Sequence, residues 1–146
     1  MEFKVNLKEG RLEKVKDLIL YLKSGKMLDV GCCGCEFSKQ FIKYAWKVYG
    51  IDLNLQQLKE DIIVKKVNLE TENIPFDDNF FDLVFAGEIV EHLVDTDHFI
   101  SEANSVLRKE GYLIITTPNL ASFENRIRIL FGKYPKWIDY SLDGHG

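Results

Sequence analysis

Apolar residues follow two patterns along the chain. Some segments have the spacing typical of helices, and others are short apolar runs typical of buried strands. Residues Leu12, Val15, Leu18, Ile19 and Leu22 recur at helical spacing and predict a helix over Arg11–Leu22. Short apolar runs predict five strands, over Met27–Val30, Lys47–Ile51, Ile62–Val67, Phe81–Ala86 and Tyr112–Thr117. Further helices are predicted over Glu36–Ala45, Leu53–Glu60, Asp95–Arg108 and Ala121–Phe131. Asp95 is expected to cap the third of these, and Gly111 to end it and begin the fifth strand.

Strands that alternate with helices indicate an α/β protein. The predicted order favours a doubly wound, mostly parallel sheet with helices on both faces. Ligands of such sheets bind beyond the carboxyl ends of the strands. Small or polar residues stand at those ends here, at Gly31, Asp52, Asn68, Gly87 and Thr117. We therefore expect the functional site at this edge of the sheet.

The size, charge and cysteine content of the chain limit the classes of protein to which it can belong. The 146 residues favour one domain over residues 1–146, and a net charge of −4 argues weakly against extensive nucleic-acid binding. No apolar stretch has the length of a membrane span or a secretion signal, which favours a cytoplasmic protein without membrane contact. The three cysteines lie together at Cys32, Cys33 and Cys35, a spacing that favours neither a disulfide framework nor zinc nor a redox role.

The stretch Lys26–Cys35 reads as a strand, a small-residue loop and the start of a helix, which is the nucleotide-binding corner of an open α/β sheet. Asp52 follows Gly31 by 21 residues and ends the next strand, within reach of ribose hydroxyls. The glycine pattern of dinucleotide-binding loops is incomplete, and Asp29 and Glu36 would repel a pyrophosphate. S-adenosylmethionine carries an ammonium and a sulfonium and no phosphate, so these carboxylates favour it over a dinucleotide.

Several segments in order resemble the class I S-adenosylmethionine-dependent methyltransferases. They are Met27–Ser38, Asp52, Ile74–Val84, Glu88–Leu93 and Gly111–Asn119. The resemblance implies a Rossmann-like methyltransferase sheet, although the family's C-terminal strand hairpin has no counterpart among the predicted strands. The family's Gly-x-Gly-x-Gly loop is here Gly31-x-Cys33-x-Cys35. Because cysteine adopts positive φ less readily than glycine, we expect this loop to be displaced.

The resemblance also implies roles for individual residues. It assigns Asp29, Gly31 and Cys33 to the methionine end of the cofactor. It assigns Asp52 to the ribose hydroxyls and Asn68 to the adenine amine. Leu53 and Leu69 would sandwich the adenine ring, and Gly87 and Glu88 would lie near the methionine moiety and the substrate.

The segment Glu88-Ile-Val-Glu91-His92 carries the candidate catalytic groups. On one helical turn, Glu88, Glu91 and His92 would share a face. The pattern is similar to the metal-binding Glu-x-x-Glu-His of small-RNA 2′-O-methyltransferases and ubiquinone-pathway catechol O-methyltransferases, with His145 as a further candidate ligand. A divalent metal is the less favoured interpretation. Glu91 or His92 could equally act as the general base.

The predicted function is methyl transfer from S-adenosylmethionine to an unidentified small or medium-sized acceptor, with oxygen as the favoured atom. One alternative is a metal-dependent O-methyltransferase acting on RNA or a catechol, and another is a non-catalytic nucleotide-binding domain. An NAD-dependent oxidoreductase is a weaker third. The basic and aromatic residues of Asn125–Lys136 leave RNA as a second partner class. An uncovered edge of the fifth strand would also allow a homo-oligomer.

Overall fold

A computed structural model of the protein describes residues 7–54, 62–119 and 123–134. The strands are β1 (Lys26–Val30), β2 (Lys47–Asp52), β3 (Ile63–Lys66), β4 (Phe81–Gly87) and β5 (Leu107–Thr116). The α-helices are α1 (Leu7–Tyr21), α2 (Thr96–Val106) and α3 (Phe123–Leu130). Two 3₁₀ helices span Ser38–Tyr44 and Val90–His92. Most of the helix predicted over Leu53–Glu60 lies outside the described residues.

The five strands form one parallel sheet in the order β3-β2-β1-β4-β5. The chain moves outward from β1 to β3 and then returns to the other side of β1 with β4. This reversal creates a switch point between β1 and β4, beside which ligands bind in doubly wound sheets. The predicted fold class is confirmed.

Alternate residues of the central strands pack on opposite faces of the sheet. Leu28 and Val84 belong to a core that includes Phe99 of α2. Met27 and Leu83, their neighbours in sequence, belong to a second core that includes Ile19 of α1. The central strands are thus buried on both faces, and each strand can be almost continuously apolar.

The first helix begins at Leu7, ahead of the predicted Arg11. Two later helices also differ from the predicted ones. The helix predicted over Glu36–Ala45 is instead a 3₁₀ helix, and Ala45 ends it at φ 65°. The helix predicted to end at Arg108 ends at Val106, and β5 begins at once with Leu107.

Gly111 explains why the boundary predicted at Arg108 was wrong. A Cβ at Gly111 would lie 2.9 Å from the carbonyl oxygen of Arg108, and the preceding Glu110 has φ 64°. The register between β4 and β5 shifts over Phe81–Leu83. The glycine therefore marks an irregularity inside a strand, where sequence reasoning had placed the end of a helix.

The chain divides into two compact units, residues 1–116 and 117–146. The first contains the whole sheet with α1 and α2. The described part of the second contains α3, and Gly132, two residues beyond the end of this helix, has φ 67°. Within the described residues, no helix is long and apolar enough to cross a bilayer.

Candidate cofactor site

The loop that follows β1 turns through several left-handed residues. Gly31 has φ 67°, Cys33 40°, Gly34 87° and Cys35 57°. The two cysteines therefore hold the conformation that glycine usually supplies, and the expectation that they would not adopt positive φ is wrong. A left-handed conformation at a residue with a side chain lowers folding stability by about 1–2 kcal/mol, so contacts around Cys33 and Cys35 must hold the loop in place.

Asp52, the last residue of β2, is a principal contact of this loop. Its Oδ2 accepts a hydrogen bond from the Cys33 backbone N–H at 2.8 Å. Its Oδ1 accepts one from the Asn54 N–H, also at 2.8 Å. Each carboxylate oxygen has more than one lone pair, so both retain capacity for a further donor. The carboxylate is thus fixed in orientation at the tip of β2.

A cavity of about 200 Å³ opens beside Asp52, within the first unit. Its walls come from the ends of β1 and β2 and from the segments that follow β3 and β4. The lining residues are Gly31, Ile51, Asp52, Leu53, Val67, Asn68, Leu69, Glu70, Ile89, His92 and Leu93. Most of these side chains are apolar, with the Asp52 carboxylate among the few polar groups. The cavity therefore lies where the topology predicts a ligand.

Six of the residues predicted from the sequence line this cavity. They are Gly31, Asp52, Leu53, Asn68, Leu69 and His92. The other five, which are Asp29, Cys33, Gly87, Glu88 and Glu91, do not belong to its lining. Cys33 still participates through its N–H bond to Asp52.

Sequence reasoning missed five lining residues, namely Ile51, Val67, Glu70, Ile89 and Leu93. Four of them are apolar residues at or just beyond strand ends, which the sequence alone does not distinguish from core positions. Their location after β2, β3 and β4 is the signal that would have identified them. Glu70 carries no such signal.

Asn68 already uses its side-chain oxygen in a local turn. Asn68 Oδ1 accepts a hydrogen bond from the Glu70 N–H at 3.1 Å, while the Asn68 N–H donates to Glu72 Oε2 at 2.7 Å. These bonds hold the segment after β3 in a fixed conformation beside the cavity. An adenine amine would have to share the Asn68 oxygen with Glu70.

Asp29 lies beneath the cavity, buried in β1. Its Oδ2 accepts a hydrogen bond from the Ser38 hydroxyl at 2.5 Å. Burial raises the pKa of Asp29 to about 7; the Ser38 hydrogen bond opposes this rise, and the nearby Asp52 charge adds to it. Near neutral pH the Asp29 carboxyl thus exists in both protonation states.

Glu88 does not share a helical face with Glu91 and His92, so that prediction is wrong. Glu88 has φ 57° and continues the sheet, since its N–H donates to the Thr116 carbonyl at 2.9 Å. The 3₁₀ helix begins only at Val90. Glu88 Oε1 instead accepts a hydrogen bond from Arg11 Nη2 of α1 at 2.5 Å.

Among the residues that the structure describes, no group of three or more His, Cys, Asp or Glu side chains could hold a metal ion. His145, the further candidate ligand, lies outside them. The cysteine cluster and the segment Glu88–His92 are both within the described part, and neither forms such a group.

The comparison with protein families agrees with this geometry. Residues 28–115 match the family model described as "Methyltransferase domain", which covers more than half of the chain. The chain belongs to the class I S-adenosylmethionine-dependent methyltransferases. The matched region begins within β1 and ends within β5, so it contains every residue that lines the cavity.

Curated relatives of this methyltransferase are O-methyltransferases by name. The chain is 33% identical over 129 residues to the "Ubiquinone biosynthesis O-methyltransferase" of Pelagibacter ubique (strain HTCC1062), covering 80% of this chain and 52% of the relative. It is 32% identical to the mitochondrial "Ubiquinone biosynthesis O-methyltransferase" of Bos taurus, covering 77% and 34%. The chain thus spans about half or less of the length of these relatives.

Solved structures share the methyltransferase fold. The "PH0226 protein" from Pyrococcus horikoshii OT3 superimposes with a TM-score of 0.70 at 20% identity, covering 88% of this chain and 66% of that one. A "SAM dependent methyltransferase" from Archaeoglobus fulgidus gives a TM-score of 0.66 at 23% identity, covering 90% and 63%. At these identities the likeness concerns the fold alone.

Proposed function

We propose that this chain binds S-adenosylmethionine in the cavity beside Asp52 and transfers its methyl group to an oxygen atom of a small acceptor. The observation that carries the proposal is the Asp52 carboxylate. It stands at the tip of β2, fixed by two backbone N–H groups, on the wall of a largely apolar cavity. A fixed carboxylate next to an apolar slot suits a ribose diol joined to a purine ring.

The other lining residues fit the remaining parts of the cofactor. Leu53 and Leu69 line the cavity and would offer apolar surface to the adenine, which is the role that the family resemblance implies. Gly31 leaves room for Ile89, which also lines the cavity, because a Cβ at Gly31 would lie 2.9 Å from Ile89 Cδ1. Asp29, buried behind the loop and bonded to Ser38, acts as a positioning residue for the β1 end of the site.

The protein's part in the reaction is alignment and proton transfer. S-adenosylmethionine supplies an electrophilic methyl group on a sulfonium. Holding an acceptor in line with that methyl group supplies up to ~7–11 kcal/mol of the barrier through orientation. A hydroxyl acceptor must also lose its proton, and His92 is the candidate base because its side chain lines the cavity. Glu91 is exposed and does not line it.

Oxygen is the proposed acceptor atom because the curated relatives carry O-methyltransferase names. The metal-dependent alternative gains no support, since no metal-binding group occurs among the described residues. For RNA, the basic and aromatic segment Asn125–Lys136 lies partly outside them.

The test is a turnover assay with this chain, S-adenosylmethionine and a panel of phenols and catechols, in which S-adenosylhomocysteine is quantified by chromatography. We expect acceptor-dependent product that persists in EDTA and that Asp52→Ala reduces by at least about tenfold. Turnover that EDTA abolishes would favour the metal-dependent alternative. Binding of S-adenosylhomocysteine without turnover of any acceptor would favour the non-catalytic domain.

The oxidoreductase alternative is tested in the same protein preparation. It predicts saturable binding of NAD and none of S-adenosylhomocysteine. The methyltransferase proposal predicts the reverse, because the loop after β1 lacks the complete glycine pattern of dinucleotide-binding loops and carries Glu36, whose charge would repel a pyrophosphate.

A further inference from the structure

Two cysteine thiols that the methyltransferase reaction does not use lie together behind the loop. Cys32 and Cys35 are both buried, with 7% and 0% of their surfaces exposed. Their sulfurs pack against the same α-carbon. A Cβ at Gly50 would lie 2.7 Å from Cys32 Sγ and 2.8 Å from Cys35 Sγ. The absence of a side chain at Gly50 therefore creates the space that both thiols share.

The backbone between these cysteines forms a tight turn. The Cys35 N–H donates a hydrogen bond to the Cys32 carbonyl at 2.7 Å. The ends of such a four-residue turn lie less than about 7 Å apart. Disulfides join α-carbons roughly 4.4–6.8 Å apart, so the turn holds these two residues within about the range that a disulfide spans.

The two thiols are also chemically unequal. The neighbouring Cys35 thiol lowers the pKa of the Cys32 thiol, against the opposing effects of burial and of the Asp29 and Asp52 charges. The proximity of Cys32, together with burial, raises the pKa of the Cys35 thiol. Cys32 is therefore the nucleophile of the pair, and Cys35 stands beside it as the resolving thiol.

We propose that Cys32 and Cys35 are a redox modification site, which a hydroperoxide converts into a reversible disulfide within the loop. The Cys32 thiolate attacks one peroxide oxygen, the O–O bond breaks, and a sulfenic acid forms with release of one water. The Cys35 sulfur then displaces the sulfenic hydroxyl as a second water. Two thiols are oxidised and one hydrogen peroxide is reduced to two waters, so atoms and electrons balance.

The sequence alone disfavoured a redox role because three cysteines on one short loop leave the pairing undefined. The structure resolves the pairing. Cys33 lies between the other two in sequence but is exposed. Its backbone N–H donates a hydrogen bond to Asp52, which lines the cavity. The inference does not depend on the proposed methyl transfer.

The test treats the whole chain with a small molar excess of hydrogen peroxide, removes the peroxide, and labels remaining thiols with N-ethylmaleimide in denaturant. Before labelling, we expect the mass of the treated protein to be lower by two hydrogen atoms. One label should then be incorporated, and fragmentation of the peptide Met27–Lys39 should place it on Cys33. Dithiothreitol should restore three labels. These measurements need only the unmodified protein.

Matched variants then identify the pair. Cys33→Ser should still form the disulfide and leave no label, whereas Cys32→Ser and Cys35→Ser should not lose two hydrogens. Circular dichroism checks that each variant is folded. The proposal would be overturned if the peroxide-treated protein incorporated three labels. A disulfide that involves Cys33, or sulfinic acid on Cys33 alone, would also overturn it.

Discussion

Among single residues, His92 has the most direct consequence for catalysis. It is the one predicted catalytic side chain that lines the cavity, at the end of the 3₁₀ helix Val90–His92. His92→Gln should lower kcat by about 10²–10⁴-fold if the imidazole takes the acceptor proton. Affinity for S-adenosylhomocysteine should change by only a few-fold, since the variant keeps a polar side chain of similar size.

His98→Gln is the matched control for this prediction. His98 lies on α2, and its side chain does not line the cavity. Steady-state kinetics on both variants show whether a loss of kcat is specific to His92. Equal kcat values for His92→Gln and the unmodified protein would contradict the role of His92 as the base.

Asp29 should make stability depend on pH. Its pKa is raised to about 7 from the ordinary value of 3.8, so between these pH values the folded protein retains a proton that the unfolded chain releases. The stabilisation from Asp29 is fully present below about pH 4 and is lost as pH rises towards about 7. The slope approaches at most ~1.4 kcal/mol per pH unit.

Urea unfolding of the protein and of Asp29→Asn across this range measures the effect. An amide mimics the protonated carboxyl and keeps an oxygen that accepts from Ser38. The difference in unfolding free energy between the two proteins should therefore shift in favour of Asp29→Asn as pH rises. Glu36→Gln, at an exposed position of the same loop, should show no such shift. A pH-independent difference for Asp29→Asn would contradict the raised pKa.

Two of the predicted site residues at strand ends carry polar side chains and lie in the wall of the cavity. Asp52 and Asn68 line the cavity because the ends of parallel strands meet at one edge. Asp29 was expected beside the cofactor, but it precedes the end of β1 by one residue and is therefore buried within the sheet. Ile89 and Leu93 were missed because an apolar residue after a strand is indistinguishable from a core residue without coordinates.

At the level of elements, the loop after β1 stores backbone strain. Cys33 is exposed and has φ 40°, which costs about 1–2 kcal/mol for a residue with a side chain. Cys33→Gly removes that cost and adds roughly 0.5–1 kcal/mol of unfolded-state entropy. We expect the unfolding free energy to rise by about 0.5–1 kcal/mol.

Chemical denaturation checks this gain against Glu36→Gly. Glu36 is exposed in the same loop but is not among the residues of positive φ. Glycine there only increases the entropy of the unfolded chain and removes the ion pair with Lys39, so it should lower stability. Destabilisation by both glycines would show that the loop is not strained at Cys33.

Element types followed from the sequence more reliably than their ends. The predicted cap was correct, because Asp95 Oδ1 accepts a hydrogen bond from the His98 N–H at 2.9 Å. Leu107 and Arg108 were misassigned to the helix because Leu107 continues its apolar face. The pairing of Leu107 with β4, which decides the outcome, is a long-range contact that local periodicity does not encode.

For the whole molecule, a doubly wound and mostly parallel sheet was predictable from the alternation of strands and helices and from the handedness of crossovers. The structure adds the strand order, with β1 at the centre of the sheet and β5 at one edge. Self-association through the edge of β5 stays a prediction. The acceptor could not be read from the sequence, because the groups that select it are not fixed by the cofactor-binding motifs.

The central claim is that the cavity beside Asp52 binds S-adenosylmethionine and its product. Calorimetric titration with S-adenosylhomocysteine tests this most directly, with Asp52→Ala and the exposed-site control Asp78→Ala run in parallel. Removing a charged acceptor of hydrogen bonds costs about 1.5–3 kcal/mol per bond, so Asp52→Ala should weaken binding by at least about tenfold. We expect micromolar affinity in the unmodified protein and in the control. No binding by the folded, unmodified chain, or equal affinity in Asp52→Ala, would contradict the account.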